Sequence, residues 1–173
     1  KMGDLRQLVS NAKKGDRDAF SSLYETVYTD LYRFALYCLN NPSDAEDAVS
    51  ETVLDAWQEL PHLRQEDAFR PWIFRILSAK CKRKMRTYVR RRSESSLEDA
   101  DIPVAAEFES GESLELRRAM ETLSGEERLI LSLVITGGYD SGEAAKLLHM
   151  NRNTLRSKQS RALSKLKSIL TGE

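Results

Sequence analysis

Apolar residues recur along most of the chain at intervals of three and four, the spacing of one helix face, and no long stretch alternates with the period of a half-buried strand. This pattern predicts an all-α protein. In the first half it predicts four helices: a short one carrying Leu5 and Leu8, a second ending near Leu39, a third beginning at Ser43, and a fourth carrying Phe69. Each has an apolar stripe that another helix must cover.

Residues that end and cap helices separate these segments. Gly15 can end the first helix in the left-handed conformation, and the Asp16 side chain can cap the second. Ser43 to Glu46, directly after Pro42, has the spacing of a capping box and predicts the start of the third helix. Residues 61–66 are expected to form the loop before the fourth helix.

The second half predicts a helix-turn-helix that follows two supporting helices. A helix is expected from about Glu112, and a capping box at Ser124–Glu127 opens another that stops at the glycine pair 137–138. Asp140 then caps a short helix, and the turn 149–151 leads into a final basic helix. This order of elements is typical of helix-turn-helix DNA-binding proteins.

Composition divides the chain into two domains. Residues 93–111 combine Ser, Glu, Asp and Pro103 with few large apolar side chains, which is typical of a linker. We therefore expect a first domain over residues 1–92 and a second over residues 112–173, joined by an acidic, flexible linker. A domain of this size buries only roughly 60% of its unfolded surface, so either half is expected to be marginal alone.

The overall composition is that of a globular chain, with 40% apolar and 31% charged residues. No apolar run approaches the roughly 20 residues of a membrane span, and Lys1–Asp4 do not begin a signal peptide. We expect a cytoplasmic protein without membrane insertion.

Cysteines and histidines are too few and too scattered for a zinc site, so we expect no metal, no cofactor and no catalytic residue. Cys38 and Cys81 each continue an apolar helical stripe and are expected in the core.

The zero net charge conceals three blocks of opposite sign. Residues 70–92 hold ten basic residues and no acid, residues 93–112 hold seven acids and no base, and residues 146–167 hold seven bases and no acid. Two basic blocks separated by an acidic one suggest two polyanion-binding surfaces joined by an extended connector.

The final helix carries polar and basic residues beside its apolar stripe. Arg and Asn at the start of a recognition helix have the donor geometry for guanine and adenine edges, and later cations can hold phosphates. An ordinary solvated face is the alternative. The candidate DNA-contacting residues are Arg152, Asn153, Thr154, Arg156, Ser157, Lys158 and Arg161.

The fourth helix combines its basic residues with aromatic rings. The spacing of Phe69 and Trp72 assigns them to the core. Phe74 and Tyr88 lie off the main stripe among basic residues, and we expect that they can stack on unpaired bases, as rings do in single-strand-binding proteins.

The third helix places Asp47, Glu51, Asp55 and Glu59 at four-residue steps along one face, without cationic partners at matching positions in that helix. This stripe is either a solvated face or a surface for a basic partner protein. A catalytic role is disfavoured because no nucleophile, histidine or glycine-rich loop accompanies the carboxylates.

Several motifs, in this order and spacing, closely resemble extracytoplasmic-function sigma factors, which direct bacterial RNA polymerase to promoters. The motifs of the first domain are Gly15–Phe20, Leu31–Arg33, Asp44–Thr52, Ala56–Trp57 and Ala68–Ile76, and those of the second are Leu123–Arg128, Gly142–Leu148, Asn153–Lys158 and Arg161–Ala162. The match covers nearly the whole chain except the linker.

The resemblance implies a non-enzymatic polymerase subunit that binds core RNA polymerase and promoter DNA and that an anti-sigma factor can hold inactive. It implies that Asp44, Glu46, Asp47, Glu51 and Asp55 face the polymerase clamp. It implies that the loop after the third helix and the basic helix hold and melt the minus-ten element, through His62, Arg64, Asp67, Phe74, Arg75, Lys80, Arg83, Lys84 and Arg86. The recognition helix is then expected in the major groove of the minus-thirty-five element.

The sequence departs from the family pattern at four positions. Ala79 and Arg83 stand where the family often has asparagine and aspartate, so the promoter sequence is not carried over. His149 takes the usual glycine position of the helix-turn-helix turn, where a positive φ is expected. Gln159 replaces a usual apolar residue, which predicts different packing of the recognition helix.

Two alternatives come from other functional classes. A self-sufficient helix-turn-helix regulator would bind duplex DNA without polymerase, and a nucleic-acid enzyme would need metal carboxylates or a phosphate loop that the sequence lacks. The acidic linker is expected either to thread a basic polymerase channel or to shield the basic surfaces of its own chain.

Overall fold

The computed structural model describes residues 2–94 and 111–172, and within them it contains helices and no strand. The predicted all-α fold is confirmed. The predicted linker lies almost entirely outside the described residues. The helices are α1 (Met2–Lys13), α2 (Arg17–Leu39), α3 (Pro42–Glu59), α4 (Phe69–Glu94), α5 (Gly111–Glu121), α6 (Gly125–Leu131), α7 (Ser141–Leu147) and α8 (Arg152–Thr171).

Most predicted caps are present. Gly15 has a φ of 93°, and Asp16 accepts a hydrogen bond from the Ala19 backbone N–H at 3.1 Å. Ser124 with Glu127 forms a capping box, as does Asp140 with its partner three residues later. The chain therefore starts its helices where short polar side chains satisfy the unpaired N–H groups.

The capping box predicted at Ser43 is wrong. Helix α3 begins one residue earlier, at Pro42, and its N-cap is Asn41, whose side chain accepts from the Asp44 N–H at 3.0 Å. Proline fits the first helical position because its φ is already helical and no N–H is needed there.

Helices α1 to α4 pack around one apolar core, in which Leu23, Phe34, Ile73 and Leu77 are fully buried. Two 3₁₀ turns, Leu60–His62 and Glu66–Ala68, carry the chain from α3 to α4. Stripes at helical spacing thus face inward on every helix of this half.

The predicted sixth helix changes geometry before its end. After α6, residues Ser132–Thr136 form a π-helical turn, and the chain then turns at Gly138, whose φ is 72°. The helix stops at the predicted glycine pair. A side chain at Gly137 would place its Cβ only 2.7 Å from the Leu133 carbonyl oxygen, so that position requires glycine.

The two halves share apolar core rather than standing apart. The core cluster of the first half continues through Ile130, Leu133 and Tyr139 of the second, and Tyr37 of α2 packs against a smaller cluster around α5 and α8. Since each half alone is small, this shared burial gives both a larger core.

Polar contacts reinforce the packing at both ends of the shared surface. Arg128 Nε donates to the Cys38 carbonyl at 3.0 Å, and the buried Arg117 donates from Nε to Asn40 Oδ1 at 3.2 Å. At the other end, Arg70 donates to the Thr136 carbonyl at 3.1 Å.

The Tyr139 hydroxyl donates to the Pro71 carbonyl, and burial raises the pKa of Tyr139 to about 12. The phenol therefore stays a protonated donor at neutral pH. No helix of the described residues is both long and apolar enough to cross a membrane.

Candidate nucleic-acid and protein interfaces

Helix α8 presents a polar face at its N-terminal half. Asn151 caps the helix by accepting from the Asn153 N–H at 2.8 Å, while Leu155, Ala162 and Leu166 anchor the opposite face in the core. Six of the seven predicted DNA-contacting residues are exposed: Arg152, Asn153, Thr154, Arg156, Ser157 and Arg161. A buried stripe every three or four residues leaves these side chains on one outward surface.

Lys158 is the exception on this helix. It is half-buried, and its Nζ is paired with Glu126 of α6. Arg161, in contrast, donates from Nε to the Ser157 carbonyl at 3.3 Å within its own helix. In the free chain, Lys158 therefore has to leave a carboxylate before it can reach a phosphate.

The helix-turn-helix turn has the predicted strained position. His149 has a φ of 53°, in the left-handed region that glycine adopts at least cost. The His149 N–H donates to the Lys146 carbonyl at 3.2 Å, and the Met150 N–H donates to the Ala145 carbonyl at 3.0 Å. The turn keeps its geometry because these two bonds close the end of α7.

The cap of α7 is electrostatically favoured. Backbone N–H groups of Glu143 and Gly142 donate to Asp140 and hold the pKa of its carboxyl below the ordinary value. Ser141, next to this cap, donates to Gln159 Oε1 of α8 at 3.3 Å. The departure at Gln159 thus packs through a hydrogen bond between the two helices of the motif.

The residues predicted to hold minus-ten DNA do not form one uniform surface. His62 and Arg64 are exposed in the loop, and Arg75 and Arg86 are exposed on α4. Asp67 is exposed too, but it is paired with Arg6 of α1 at 2.6 Å. Nucleic acid in solution can reach the exposed His62, Arg64, Arg75 and Arg86 side chains directly.

The prediction that Phe74 stacks on unpaired bases is wrong. Phe74 is fully buried and meets Phe34 edge to face, with ring centroids 5.6 Å apart, while the Arg70 guanidinium lies 4.9 Å from its centroid. Its ring therefore belongs to the core and cannot stack on a base in this conformation. Trp72, predicted in the core, is half-buried beside Phe69 at a centroid distance of 6.1 Å.

Tyr88, the second predicted stacking ring, is half-buried, and its hydroxyl donates to Asp44 Oδ2. Burial, followed by the neighbouring Asp44 carboxylate, raises the pKa of the Tyr88 phenol well above its ordinary value. One edge of the ring therefore stays within the protein.

The acidic stripe of α3 has cationic partners on α4, in a seam that runs antiparallel between the two helices. Its contacts join Lys84 to Asp44 at 3.6 Å and to Asp47 at 4.0 Å, Arg83 to Glu51 at 2.7 Å, and Lys80 to Glu51 at 3.9 Å and to Asp55. Glu46 is exposed on the same helix. Sequence spacing within α3 did not reveal these pairs, because they form between helices.

The α3–α4 seam therefore joins residues predicted for two different partners. Lys80, Arg83 and Lys84 are expected at DNA, and the carboxylates opposite them are expected at the polymerase clamp. The Lys80 and Lys84 side chains are only 16% and 20% exposed, so the seam holds them close to the protein surface.

The two cysteines are buried in the core, as predicted. Contact with Cys38 and burial raise the pKa of the Cys81 thiol far above its ordinary value, which keeps it protonated and unreactive. Among the described residues no three His, Cys, Asp or Glu side chains are grouped to hold a metal ion.

Comparison with known proteins matches both halves to one type of transcription protein. The family model of sigma-70 region 2 matches residues 23–94, and that of sigma-70 region 4 matches residues 113–166. These two regions correspond to the four-helix half and to the half that carries the helix-turn-helix.

Curated relatives match nearly the full chain. The RNA polymerase sigma factor NccH of Alcaligenes xylosoxydans is 31% identical over 174 residues, covering 94% of this chain and 92% of that protein. The ECF RNA polymerase sigma factor SigM of Mycobacterium tuberculosis is 28% identical over 165 residues, covering 95% and 83%.

Among solved structures, the sigma factor RpoE of Bartonella quintana, crystallised with the anti-sigma factor NepR, has a similar fold. The TM-score is 0.70 at 24% identity, over 88% of this chain and 96% of that one.

Proposed function

Because the chain belongs to the extracytoplasmic-function family of RNA polymerase sigma factors, we propose that its first half binds core polymerase and minus-ten DNA and its second half binds minus-thirty-five DNA. The observation that carries this assignment is the exposed polar face of α8 beside a capped helix-turn-helix. A self-sufficient regulator is set aside, since both family regions are present in one chain.

At the minus-thirty-five element, the N-terminal half of α8 enters the major groove. Arg152 and Asn153 are exposed at the helix start and read base edges, because guanidinium and amide groups match guanine and adenine. Arg156 and Arg161 are exposed further along and hold phosphates. Thr154 and Ser157 lie between them and donate hydrogen bonds to base or phosphate.

At the minus-ten element, the exposed polar and basic side chains set the path of the single strand. His62 and Arg64 in the loop and Arg75 and Arg86 on α4 provide the first contacts, because they are exposed in the free chain. Phe74 stays in the core, so any ring that stacks on an unpaired base is another one. The phosphate contacts should make binding strongly salt-dependent.

The acidic residues of α3 form the surface for the basic polymerase clamp. Asp47 is 65% exposed, Asp55 is 45% exposed and Glu51 is 40% exposed, so all three can meet cations from outside. Their spacing along α3 makes a row of carboxylates, each of which is paired with a cation of α4 in the free chain. Complementary charge steers such an encounter and fixes its register.

Promoter binding requires the two halves to separate. Two elements about 25 base pairs apart lie roughly 85 Å apart along a duplex at 3.4 Å per step. Helix α4, with 26 residues, is only about 39 Å long, and α6 packs directly against the first half. The compact arrangement is therefore the free state, and polymerase holds the open one.

A groove of about 410 Å³ lies between α4 on one side and α6 with the helix-turn-helix turn on the other, and it fits a regulatory partner. Met85 and Val89 line one wall and Leu129 and Met150 line the other; Lys82 and Arg86 supply positive charge, and the lining carboxylate of Glu126 is paired with Lys158. We assign this groove to an anti-sigma factor segment with apolar side chains and acidic flanks. Inhibition of transcription by a purified candidate should be lost with Val89→Asp.

With these partners, we propose that the chain acts in the bacterial cytoplasm, where promoter DNA and polymerase are found. The proposed function is tested by size-exclusion chromatography of the full chain with core RNA polymerase. Co-elution at a one-to-one ratio supports it. Separate elution at micromolar concentrations, with duplex binding retained, would favour the self-sufficient regulator instead.

A further inference from the structure

We propose that Lys13 of α1 is a positioning residue for minus-ten binding, which fixes the loop of residues 61–68 in the shape that presents His62 and Arg64 to the single strand. The inference rests on the proposed function, since that function assigns the loop to DNA. No predicted DNA or polymerase contact lies on α1. Side chains of α1 nevertheless hold this loop.

The loop consists of two 3₁₀ turns with a short extended stretch between them. Leu60–His62 and Glu66–Ala68 form the turns, and the backbones of Leu63 and Gln65 are extended, with ψ of 118° and 120°. A backbone hydrogen bond at 3.0 Å closes each turn from within. These bonds do not join one turn to the other, so the relative placement of the turns depends on contacts from outside the loop.

Lys13 bridges the two turns. Its Nζ donates to the Leu63 carbonyl at 2.6 Å, just after the first turn, and lies 3.5 Å from Glu66 Oε1 at the start of the second. The Lys13 side chain is only 22% exposed, so water weakens these contacts less than it weakens contacts on the open surface. The Glu66 backbone N–H, followed by the Lys13 ammonium, holds the pKa of the Glu66 carboxyl below its ordinary value, so the pair is charged at neutral pH.

Helix α1 is itself fixed against the core of the first half. Val9 and Ala12 are buried at the spacing of one helix face, and Lys13 follows directly in the last turn. The Lys13 side chain therefore reaches the loop from a rigid element. Support from a helix holds a binding group more precisely than support from another loop.

The contact lies between the two loop side chains that are proposed to meet the strand. Leu63 is buried, whereas His62 and Arg64 on either side of it are exposed. Because the core holds the Leu63 side chain and Lys13 holds its carbonyl, the main chain is fixed at the point from which both neighbours project. A loop that is ordered before binding spares the strand the entropy of fixing it.

Arg6 makes a weaker contact with the same loop. Arg6 and Lys13 are seven residues apart, which places them on one face of α1. Arg6 Nη2 lies 2.6 Å from Asp67 Oδ2, but the two side chains are 63% and 68% exposed, and such exposed pairs contribute little. The positioning role therefore rests mainly on Lys13.

The first test measures hydrogen exchange by mass spectrometry on the whole chain, free in solution. Lys13→Met removes the ammonium and keeps an unbranched side chain. Amides of residues 61–68 should exchange about fivefold faster, the scale of one lost hydrogen bond, while those of α2, α3 and α4 stay as in the wild type. Lys13→Arg keeps a cationic donor and should restore slow exchange.

Lys14→Met is the matched control, because Lys14 is the next residue and is exposed. It should leave exchange in the loop unchanged. Unchanged exchange in the loop of Lys13→Met would overturn the inference. An equal rise throughout the first half would overturn it as well, since Lys13 would then only stabilise the fold.

The second test measures affinity for a fluorescein-labelled, mixed-sequence single-stranded DNA of about 20 nucleotides, longer than one single-strand site. Lys13→Met should weaken binding about fivefold, on the same scale as the lost hydrogen bond, and Lys14→Met by less than about twofold. The salt slope of Lys13→Met should equal that of the wild type, because Lys13 holds the loop and not a phosphate. A slope shallower by about 0.7 would show a direct phosphate contact and overturn the positioning role.

A double-mutant cycle then links the loop to the strand. In a His62→Ala/Arg64→Ala background, Lys13→Met should weaken binding by less than about twofold, because the side chains that Lys13 positions are gone. An undiminished loss in that background would overturn the inference. If His62→Ala/Arg64→Ala binds the strand as tightly as the wild type, the minus-ten assignment of the proposed function fails, whereas an unchanged exchange pattern in Lys13→Met overturns the inference about Lys13 itself.

Discussion

Arg128 of α6 reaches across to α2, where its Nε donates to the backbone carbonyl of Cys38 at 3.0 Å, and its Nη1 also donates to the Leu123 carbonyl at 2.8 Å. Burial lowers the pKa of the guanidinium. One side chain therefore satisfies a carbonyl in the last turn of α2 and a carbonyl just after α5, which ties the second half of the chain to the first.

Replacing Arg128 with alanine should lower the free energy of unfolding by about 1–3 kcal/mol, because two buried carbonyls lose their donor. Urea denaturation followed by circular dichroism measures the change. Arg118→Ala is the matched control, since Arg118 is exposed on α5. It should stay within about 0.5 kcal/mol of wild type. Equal losses in both variants would show that the buried contacts have no special role.

Substitution at His149 tests the left-handed turn. His149→Gly should stabilise the chain by about 0.5–1 kcal/mol, because glycine adopts a φ of 53° without a Cβ clash. His149→Val should destabilise it, since a β-branched residue fits this region poorly. Thermal denaturation of the wild type and the two variants gives their order of stability. A destabilised glycine variant would show that the imidazole makes a contact worth more than the strain.

The pairing of Lys158 predicts which of two substitutions in α8 weakens duplex binding more. Arg156→Ala should weaken duplex binding by the full chain and make the salt slope shallower by about 0.9. Lys158→Ala should have the smaller effect, because Lys158 is already paired with Glu126 in the free chain. Fluorescence anisotropy at several salt concentrations measures both. A larger loss for Lys158→Ala would contradict the proposed orientation of the helix.

Substitution of Phe74 tests whether its ring belongs to the hydrophobic core or stacks on a DNA base. Phe74→Leu should lower the free energy of unfolding by about 1 kcal/mol, the usual scale of an apolar exchange in a core. Its affinity for single-stranded DNA should stay within twofold of wild type. A ring that stacked on a base would contribute about 1–3 kcal/mol, so a loss of fivefold or more would return Phe74 to the DNA surface.

The helices can be predicted from the sequence because the residues that cap and end them lie close together along the chain. Polar residues three positions apart predict the capping boxes at Ser124 and Asp140, and both are present. The predicted start of α3 is wrong since Asn41 and Ser43 are both good caps beside a proline. Because proline is favoured at the first helical position, the helix starts at Pro42 and Asn41 is its N-cap.

Contacts between helices cannot be predicted in the same way. Phe74 lies off the main stripe of α4, yet α2 and the Arg70 side chain cover it from another direction. The partners of the acidic stripe are on α4, far along the chain from α3, and helical spacing reports only neighbours on one helix. The buried Arg117 gives no local signal, because its partner Asn40 belongs to the other half.

The clamp assignment makes a further prediction about the acidic stripe. Charge reversal at Asp47, Glu51 and Asp55 should weaken binding to core polymerase by at least tenfold, because three attractive contacts become repulsive. Duplex binding by α8 should be unchanged. If this triple variant bound core polymerase as tightly as the wild type does, the stripe would be an ordinary solvated face.

The central claim is that this chain directs RNA polymerase to promoters, and transcription from total genomic DNA tests it without a promoter having to be chosen. Purified core polymerase is supplied with or without the full-length chain, and the 5′ ends of the transcripts are mapped. We predict a set of new 5′ ends that appear only with the chain and share sequence elements near minus ten and minus thirty-five. Identical 5′ ends with and without the chain, under conditions where it binds core polymerase, would contradict the account.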